Sequence, residues 1–552
     1  MSGDVKKVSG DALKVGGEVN YVSAGVNWLK LVELGMLSIK IKGYICGEKT
    51  KIYHTMLDQS FSVDNFKIIF EEENRKGALD KKFFSIEYYE LAQKLINIRS
   101  EIKAYPIRKV TDDGYKKLLD DRDKLIEQKE VTLYANLIEY SNEVNNNTFS
   151  IILTPFKIDE TDPYEKVKYK IQKNNAPLFF SMKQLQHNIN RTFDVKQSNR
   201  YLIVEQIKSI LQDNLPKYVV RTDIEGFYEN VPQEKLLSLI NDNQLLSPKL
   251  KLLIENIIYQ YNTFTKQNKL KKCDRKGIPR GAGVSAFLAE LYMKEIDKKI
   301  KDIDDIAYYC RYVDDMFAVF KPISSKDSLD YYLNKIEEIV NFYGMALKKD
   351  PNPSYNKSFE CNLFDTAFIH SINFLGYKFI VTKTSVKGGY HKEFKINLSD
   401  NRKESYKRKI ETALNEFIKD KIWNYNEAHK LLIHRLNYLT KNTKLEHPKK
   451  GLIGIYYSNS LLDKDCQCLN DLNNTLASRI DAIIIDEPLK TRLRRFDFVR
   501  GFNDKLFFNM KANSNPKKKC KKGHKNIPDL RTDAEKSKRA FNNFEKITSA
   551  WK

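Results

Sequence analysis

The chain has 552 residues, 95 Lys and Arg against 72 Asp and Glu, a formal charge of +23 and 41% hydrophobic residues. That length exceeds what one core usually serves, so roughly two to four domains are expected, and the basic excess favours a polyanionic partner. Seven scattered Cys argue against a disulfide framework, and Cys466, Cys468, Cys520 and His524 lack the paired spacing of a zinc site.

The start, Met1-Ser-Gly-Asp-Val-Lys-Lys7, has no secretory apolar core. No apolar run nears the ~18 residues of a membrane span. A soluble protein of the reducing cytoplasm, with no membrane partner, is expected. Residues 1 to about 25 are rich in Gly, Ser and Lys and read as mobile. From Trp28 to Phe70 the pattern fits strand or helix equally. Phe83–Ile102 has helical spacing through Phe84, Tyr88, Leu91, Leu95 and Ile98, and Tyr115–Tyr140 reads as one or two charged helices. Asn145–Asn147 punctuates the chain, and Phe149–Phe156 reads as a strand. Pro177–Leu215 reads as mostly helical, with Arg191, Lys196, Arg200 and Lys208 interspersed.

An apolar strand from Tyr218 then ends in Asp223. Helices follow at Pro232–Asn241, where a starting Pro does no harm, and at Lys249–Tyr261. Gly277-Ile-Pro-Arg-Gly-Ala-Gly283 is a glycine-rich loop opening a helix over Val284–Ile300. Tyr308–Phe320 reads as two buried strands joined at Asp314-Asp315. Asp is common in turns, so an ordinary turn is one reading. Two adjacent anions within a core favour a cation instead, and metal binding is the other reading. Lys326–Phe342 reads as a helix and Phe374–Ile380 as a strand. Gly388-Gly389 marks a hairpin returning to Leu398. Asn401 to about Arg500 reads as helical and basic, and Lys517–Lys522 as a flexible tail adding non-specific nucleic-acid affinity.

The Asp223 strand, the Gly-rich loop and the Tyr312-Val-Asp-Asp315 hairpin, in this order, resemble the palm of reverse transcriptases. The matched core runs from roughly Asn175 to Ser399. The resemblance implies an α+β right-hand polymerase with fingers, a palm with an antiparallel sheet, and a helical thumb. The expected boundaries are an N-terminal extension over 1–144, fingers over 145–217, palm and primer-grip hairpin over 218–399, thumb over 400–510 and a basic tail over 511–552. Asp223 and Asp314 match the family's metal-holding aspartates, Asp315 their supporting neighbour, and the Ile224 carbonyl a further ligand. The cofactor is then two Mg²⁺ ions, with Mn²⁺ as substitute. Tyr228 matches an aromatic that blocks the ribose 2′-hydroxyl; a core tyrosine is the alternative. Gly281 and Gly283 allow close backbone approach to nucleotide and template. Arg280 replaces the Gln that many relatives carry, and either grips phosphate or a base edge, or merely pairs with a carboxylate. Arg200 stands where the family's fingers meet the triphosphate. Lys348 or Lys349 stands where a lysine nears the leaving pyrophosphate, and Phe374-Leu-Gly376 resembles the primer grip.

The activity implied is RNA-directed DNA polymerization from deoxynucleotides. The Pro279-Arg280-Gly281 loop, the N-terminal extension and Gly454–Ser460, centred on Asn459, look most like the defence-associated prokaryotic group, in particular the second polymerases of its type 3 systems. That implies an antiviral role, a structured noncoding RNA, a DNA product of templated, low-complexity or untemplated kind, and a partner reverse transcriptase or homo-oligomer. The alternatives are a retron-type enzyme primed by its own RNA and a non-catalytic RNA-binding scaffold.

Overall fold

A computed structural model describes residues 58–76, 79, 81–106, 112–157, 165–172, 175–323, 330–349, 357–364, 367–386, 389–445, 451–463, 466–483, 485–509 and 546–551. The Gly/Ser/Lys-rich start, most of the ambiguous Trp28–Phe70 stretch, Gly388, and the Lys517–Lys522 run with Cys520 and His524 lie outside them.

The described part mixes helix and sheet. Helices α1 (Val63–Lys76), α2 (Ile86–Ala104) and α3 (Asp113–Asn145) come first. The Asp112 carboxylate caps α3 by accepting from the Tyr115 N–H at 2.9 Å. After Gly114 in its first turn no Gly or Pro interrupts the chain, so α3 is one helix. These helices share a core with α4 (Ala176–Phe193): the Phe180 ring lies 5.4 Å from Phe66 and 6.0 Å from Tyr140. Between α3 and α4, β1 (Leu153–Phe156) pairs antiparallel with β2 (Lys168–Ile171). Helix α5 (Arg200–Gln212) follows, capped by Asn199.

The centre is a four-stranded sheet of order β4-β5-β3-β6, formed by β3 (Tyr218–Asp223), β4 (Ile306–Tyr312), β5 (Asp315–Phe320) and β6 (Phe359–Asn362). Every residue of β3 is buried. The period-2 alternation of strands sends its successive side chains to opposite faces, and both faces are covered. Tyr218, Val220, Met316, Ala318 and Phe320 enter one core with α6 (Gln233–Asn241), α7 (Pro248–Phe264), α8 (Ser285–Lys301) and α9 (Tyr331–Phe342). Val219, Phe317 and Val319 enter another with α5. Pro232 is the N-cap of α6 rather than its first helical residue.

Two expectations are corrected here. Phe374–Ile380 is not one strand. Phe374 ends β7 (Phe368–Phe374), Tyr377 begins β8 (Tyr377–Val386), and Leu375 and Gly376 turn between them with φ of 46° and 80°. Positive φ at both central residues suits a tight hairpin, and glycine carries the second at no steric cost. Strand β9 (Gly389–Leu398) completes this sheet. The stretch after Asn401 is also not helical throughout. Helix α10 (Asp400–Thr440) is kinked at Asn424 and is followed by β10 (Asn442–Leu445) and β11 (Gly451–Gly454). The buried Asn442 side chain decides this break: its oxygen accepts from the Tyr456 and Tyr457 N–H groups and its amide donates to the Gly501 carbonyl. Helices α11 (Gln467–Ala482), α12 (Glu487–Leu493) and α13 (Phe498–Asp504) follow, and β12 (Phe507–Asn509) pairs parallel with β10. The Asn459 amide, fully buried, donates to the Ile455 carbonyl at 2.7 Å, which makes its segment a packed turn. Among the described residues no helix is long and apolar enough to cross a membrane.

Candidate active site

Three carboxylates gather at one end of the central sheet. The antiparallel register of β3 and β5 sets Asp223 opposite Asp315, and Asp314 occupies the turn between β4 and β5. Asp315 is therefore the first residue of β5 rather than part of the tip itself. The turn is strained, since Val313 has φ of 61°, a left-handed conformation that a β-branched residue rarely adopts. Arg311 clamps it. Its guanidinium donates to the Val313 carbonyl at 2.8 Å and is held by Glu290 and Asp297, each 2.7 Å away. The Ile224 N–H donates to the Asp314 carbonyl at 3.1 Å, tying β3 to the same turn.

Burial raises the pKa of Asp314, and the neighbouring Asp223 raises it further against the pull of Lys357 and Arg280. Burial likewise raises that of Asp315; Arg221 opposes this and Asp223 adds to it. Two cations that sequence reasoning passed over face these acids. Arg221 donates to Asp315 at 2.6 Å and to the Lys357 carbonyl at 2.6 Å. The Lys357 ammonium meets Asp223 at 2.5 Å. Arg221 was legible, because it lies two residues before Asp223 in a strand and so on the same face. Nothing in the sequence around Lys357 marks it.

The donor set is hard oxygen, which suits Mg²⁺. Among the described residues no group of three His, Cys, Asp or Glu side chains is drawn close enough to form a cation cluster. The residues thus fit the ion by donor chemistry and by the repulsion that Asp223 exerts on Asp314 and Asp315.

The remaining candidates divide. Ile224 is buried directly after Asp223 and bridges to Leu347. The Lys348 N–H donates to the Asp223 carbonyl at 2.7 Å, whereas the Lys349 ammonium pairs with Glu337 on α9 at 2.7 Å. Tyr228 is half-buried under Arg280, whose guanidinium lies 5.3 Å from the ring centre. Arg280 also forks onto Glu229 at 2.9 and 3.2 Å, and Lys166 meets the same carboxylate at 2.9 Å. Of the expected roles for Arg280, carboxylate pairing is the one present. A cleft of about 570 Å³ opens beside this pair, lined in part by Lys166, Tyr169 and Tyr261. Gly281 has φ of 91°, and a Cβ there would lie 2.9 Å from the Tyr169 carbonyl. Its close approach is thus to β2. Arg200 is not turned to the carboxylates. Its Nε donates to the Leu375 carbonyl at 3.1 Å and its guanidinium lies 5.5 Å from the Tyr377 ring centre. The Phe374 ring packs 5.2 Å from Phe317, two residues along β5 from Asp315.

An antiparallel sheet with acids at its end, a glycine-rich loop and a strained Val-Asp turn defines a polymerase palm. Residues 165–379 match the family model of the reverse transcriptase (RNA-dependent DNA polymerase). The chain carries a reverse transcriptase domain, which makes it an RNA-directed DNA polymerase, a nucleotidyltransferase. Its partners therefore include nucleic acid and deoxynucleoside triphosphates, and reverse transcriptases generally use divalent metal ions such as Mg²⁺. No match was found among curated proteins.

Proposed function

We propose that the chain extends a DNA strand at the Asp223–Asp314–Asp315 site by two-metal nucleotidyl transfer. The observation that supports this most is the β3–β5 register, which sets Asp223 opposite Asp315 beside the Asp314 turn. Asp223, Asp314 and the Ile224 carbonyl would hold the ions, with Asp315 supporting through its tie to Arg221. Divalent ions bound there supply charge that favours the attacking oxygen and the leaving pyrophosphate. The protein's own part is to hold the acids together despite their repulsion. Arg221, Lys357 and the Arg311 clamp do this from three directions.

Tyr228 would exclude the ribose 2′-hydroxyl, its ring held by Arg280 above it. Phe374, Leu375 and Gly376 would steady the primer end. Lys348, held by its backbone beside Asp223, would serve near the leaving group in preference to Lys349. In the cell the enzyme would act in antiviral defence with a structured RNA, in line with the resemblance of its Pro-Arg-Gly loop. The Arg280–Glu229 pair offers fixed donors and acceptors beside the cleft, which favours a product of restricted composition.

The test is incorporation of deoxynucleotides with Mg²⁺ or Mn²⁺ by the wild type and by Asp314→Asn, each checked for folding by circular dichroism. Loss in the variant alone is expected. Full activity of Asp314→Asn would overturn the assignment. Sequencing the copurifying DNA would read product composition, and a branched RNA–DNA species would favour a retron-type reaction.

A further inference from the structure

Gly376 lies beneath two arginines from distant parts of the chain. A Cβ built on it would come within 2.8 Å of Arg402 Nη1 and 3.1 Å of Arg200 Nη2, so both guanidiniums face one point over the β7–β8 turn. Arg200 spends its Nε on the Leu375 carbonyl, and Arg402 donates to the Ser458 carbonyl at 3.1 Å. Neither has a carboxylate partner among the described residues. The acids on adjoining elements are already engaged: Asp400 by Lys378 at 2.9 Å, Glu404 by Lys407 at 2.7 Å, Asp463 by Lys208 at 3.5 Å and Asp471 by Lys403 at 3.6 Å. Both arginines are partly buried. Burial disfavours the Arg200 cation, and Arg402 disfavours it further. Burial also disfavours the Lys409 cation, and Arg402 and Arg408 add to this.

Like charges left this close and partly desolvated are unfavourable unless an anion joins them. Two planar forks facing one point match the oxygens of a phosphate. The place also has a direction. The turn below the arginines is anchored through Phe374 to Phe317, two residues from Asp315. The pair therefore sits over a turn that packs on the strand beginning with Asp315.

We propose that Arg200 and Arg402 together clamp one phosphodiester of the strand being extended, as positioning residues that fix its end relative to Asp314. The clamp rests on the polymerase reading for its purpose, but its binding step can be measured without catalysis. Gly376 is then required as a residue without a side chain, so that the phosphate and both guanidiniums can share the space above the turn.

The experiment measures binding of an RNA-template–DNA-primer duplex to the full chain without divalent metal, using primers that carry a single neutral methylphosphonate scanned along the last few linkages. Wild type should lose roughly tenfold in affinity at one linkage, with the slope of log K against log salt reduced by about 0.7–0.9. Arg402→Gln should lose a similar amount with the unmodified primer and nothing more at that linkage. Arg402→Lys should recover part of the affinity. In turnover, Arg402→Gln should raise KM for primer and leave KM for deoxynucleotide unchanged. If no linkage is sensitive in wild type, or if the two losses add, the clamp is refuted. A rise in KM for deoxynucleotide instead would assign the arginines to the triphosphate and overturn the strand assignment. A wild type that shows the linkage-specific loss yet incorporates no deoxynucleotide would sink the polymerase reading and leave the phosphate site standing.

Discussion

Replacing Arg311 by Met tests whether the carboxylate turn is held by a buried ion network. The Arg311 side chain is 5% exposed, and its partners Glu290 and Asp297 are 16% and 19% exposed. Removing the cation leaves two poorly solvated carboxylates without a cation, with the Tyr309 hydroxyl still donating to Asp297 at 2.7 Å, which costs about 3–5 kcal/mol. It also frees the Val313 carbonyl, and with it the Arg311 hold on a turn whose left-handed valine stores about 1–3 kcal/mol of strain. A chain of this length need not unfold in one step, so the loss is best read locally, by amide exchange across β4 and β5. At about 1.4 kcal/mol per tenfold, exchange there should speed up by roughly a hundredfold to a few thousandfold. Nucleotide incorporation should fall with it. Adding Glu290→Gln and Asp297→Asn removes the stranded charges. The triple variant should regain most of the protection and still incorporate poorly, because nothing replaces the bond to Val313. If the triple variant regains full activity, the clamp does not position Asp314. If Arg311→Met alone leaves exchange unchanged, the network does not stabilise the hairpin.

Other outcomes follow from the same geometry. Tyr228→Ala should raise the ratio of ribo- to deoxynucleotide incorporation while keeping some DNA synthesis; an unchanged ratio would make Tyr228 a packing residue. Burial raises the Glu229 carboxyl, but the Lys166 and Arg280 bonds prevail and its pKa is lowered. A lowered folded-state value contributes stability above the ordinary carboxylate pKa and loses it as pH falls through the folded value. Glu229→Gln should therefore melt below wild type at neutral pH and converge with it in acid; parallel melting curves across that range would deny the pair any role. Lys357→Met should weaken incorporation more than Lys349→Met, since only Lys357 touches an active-site acid; equal effects in single-turnover assays would contradict this ranking.

Much of the site was legible because its chemistry lies in short runs. Strand alternation and β-branched residues mark β3, β4 and β5, and adjacent aspartates cannot share a core without cations. Their order along the chain carried the family resemblance, and the matched segment agrees with it over most of the expected core. The positions of Arg280 and Arg200 were decided otherwise. A basic side chain can pair with whichever acid or carbonyl the fold brings near, and spacing does not say which. Glu229 took one and the Leu375 carbonyl the other. The Phe374–Ile380 run looked continuous because turn residues are few and Leu375 is not a usual one; only the β7–β8 pairing makes it a hairpin. Lys357 reaches Asp223 from 134 positions away. Local periodicity ties residues to faces of an element, whereas the meeting of distant charges depends on how whole elements pack, and only the tertiary structure holds that information.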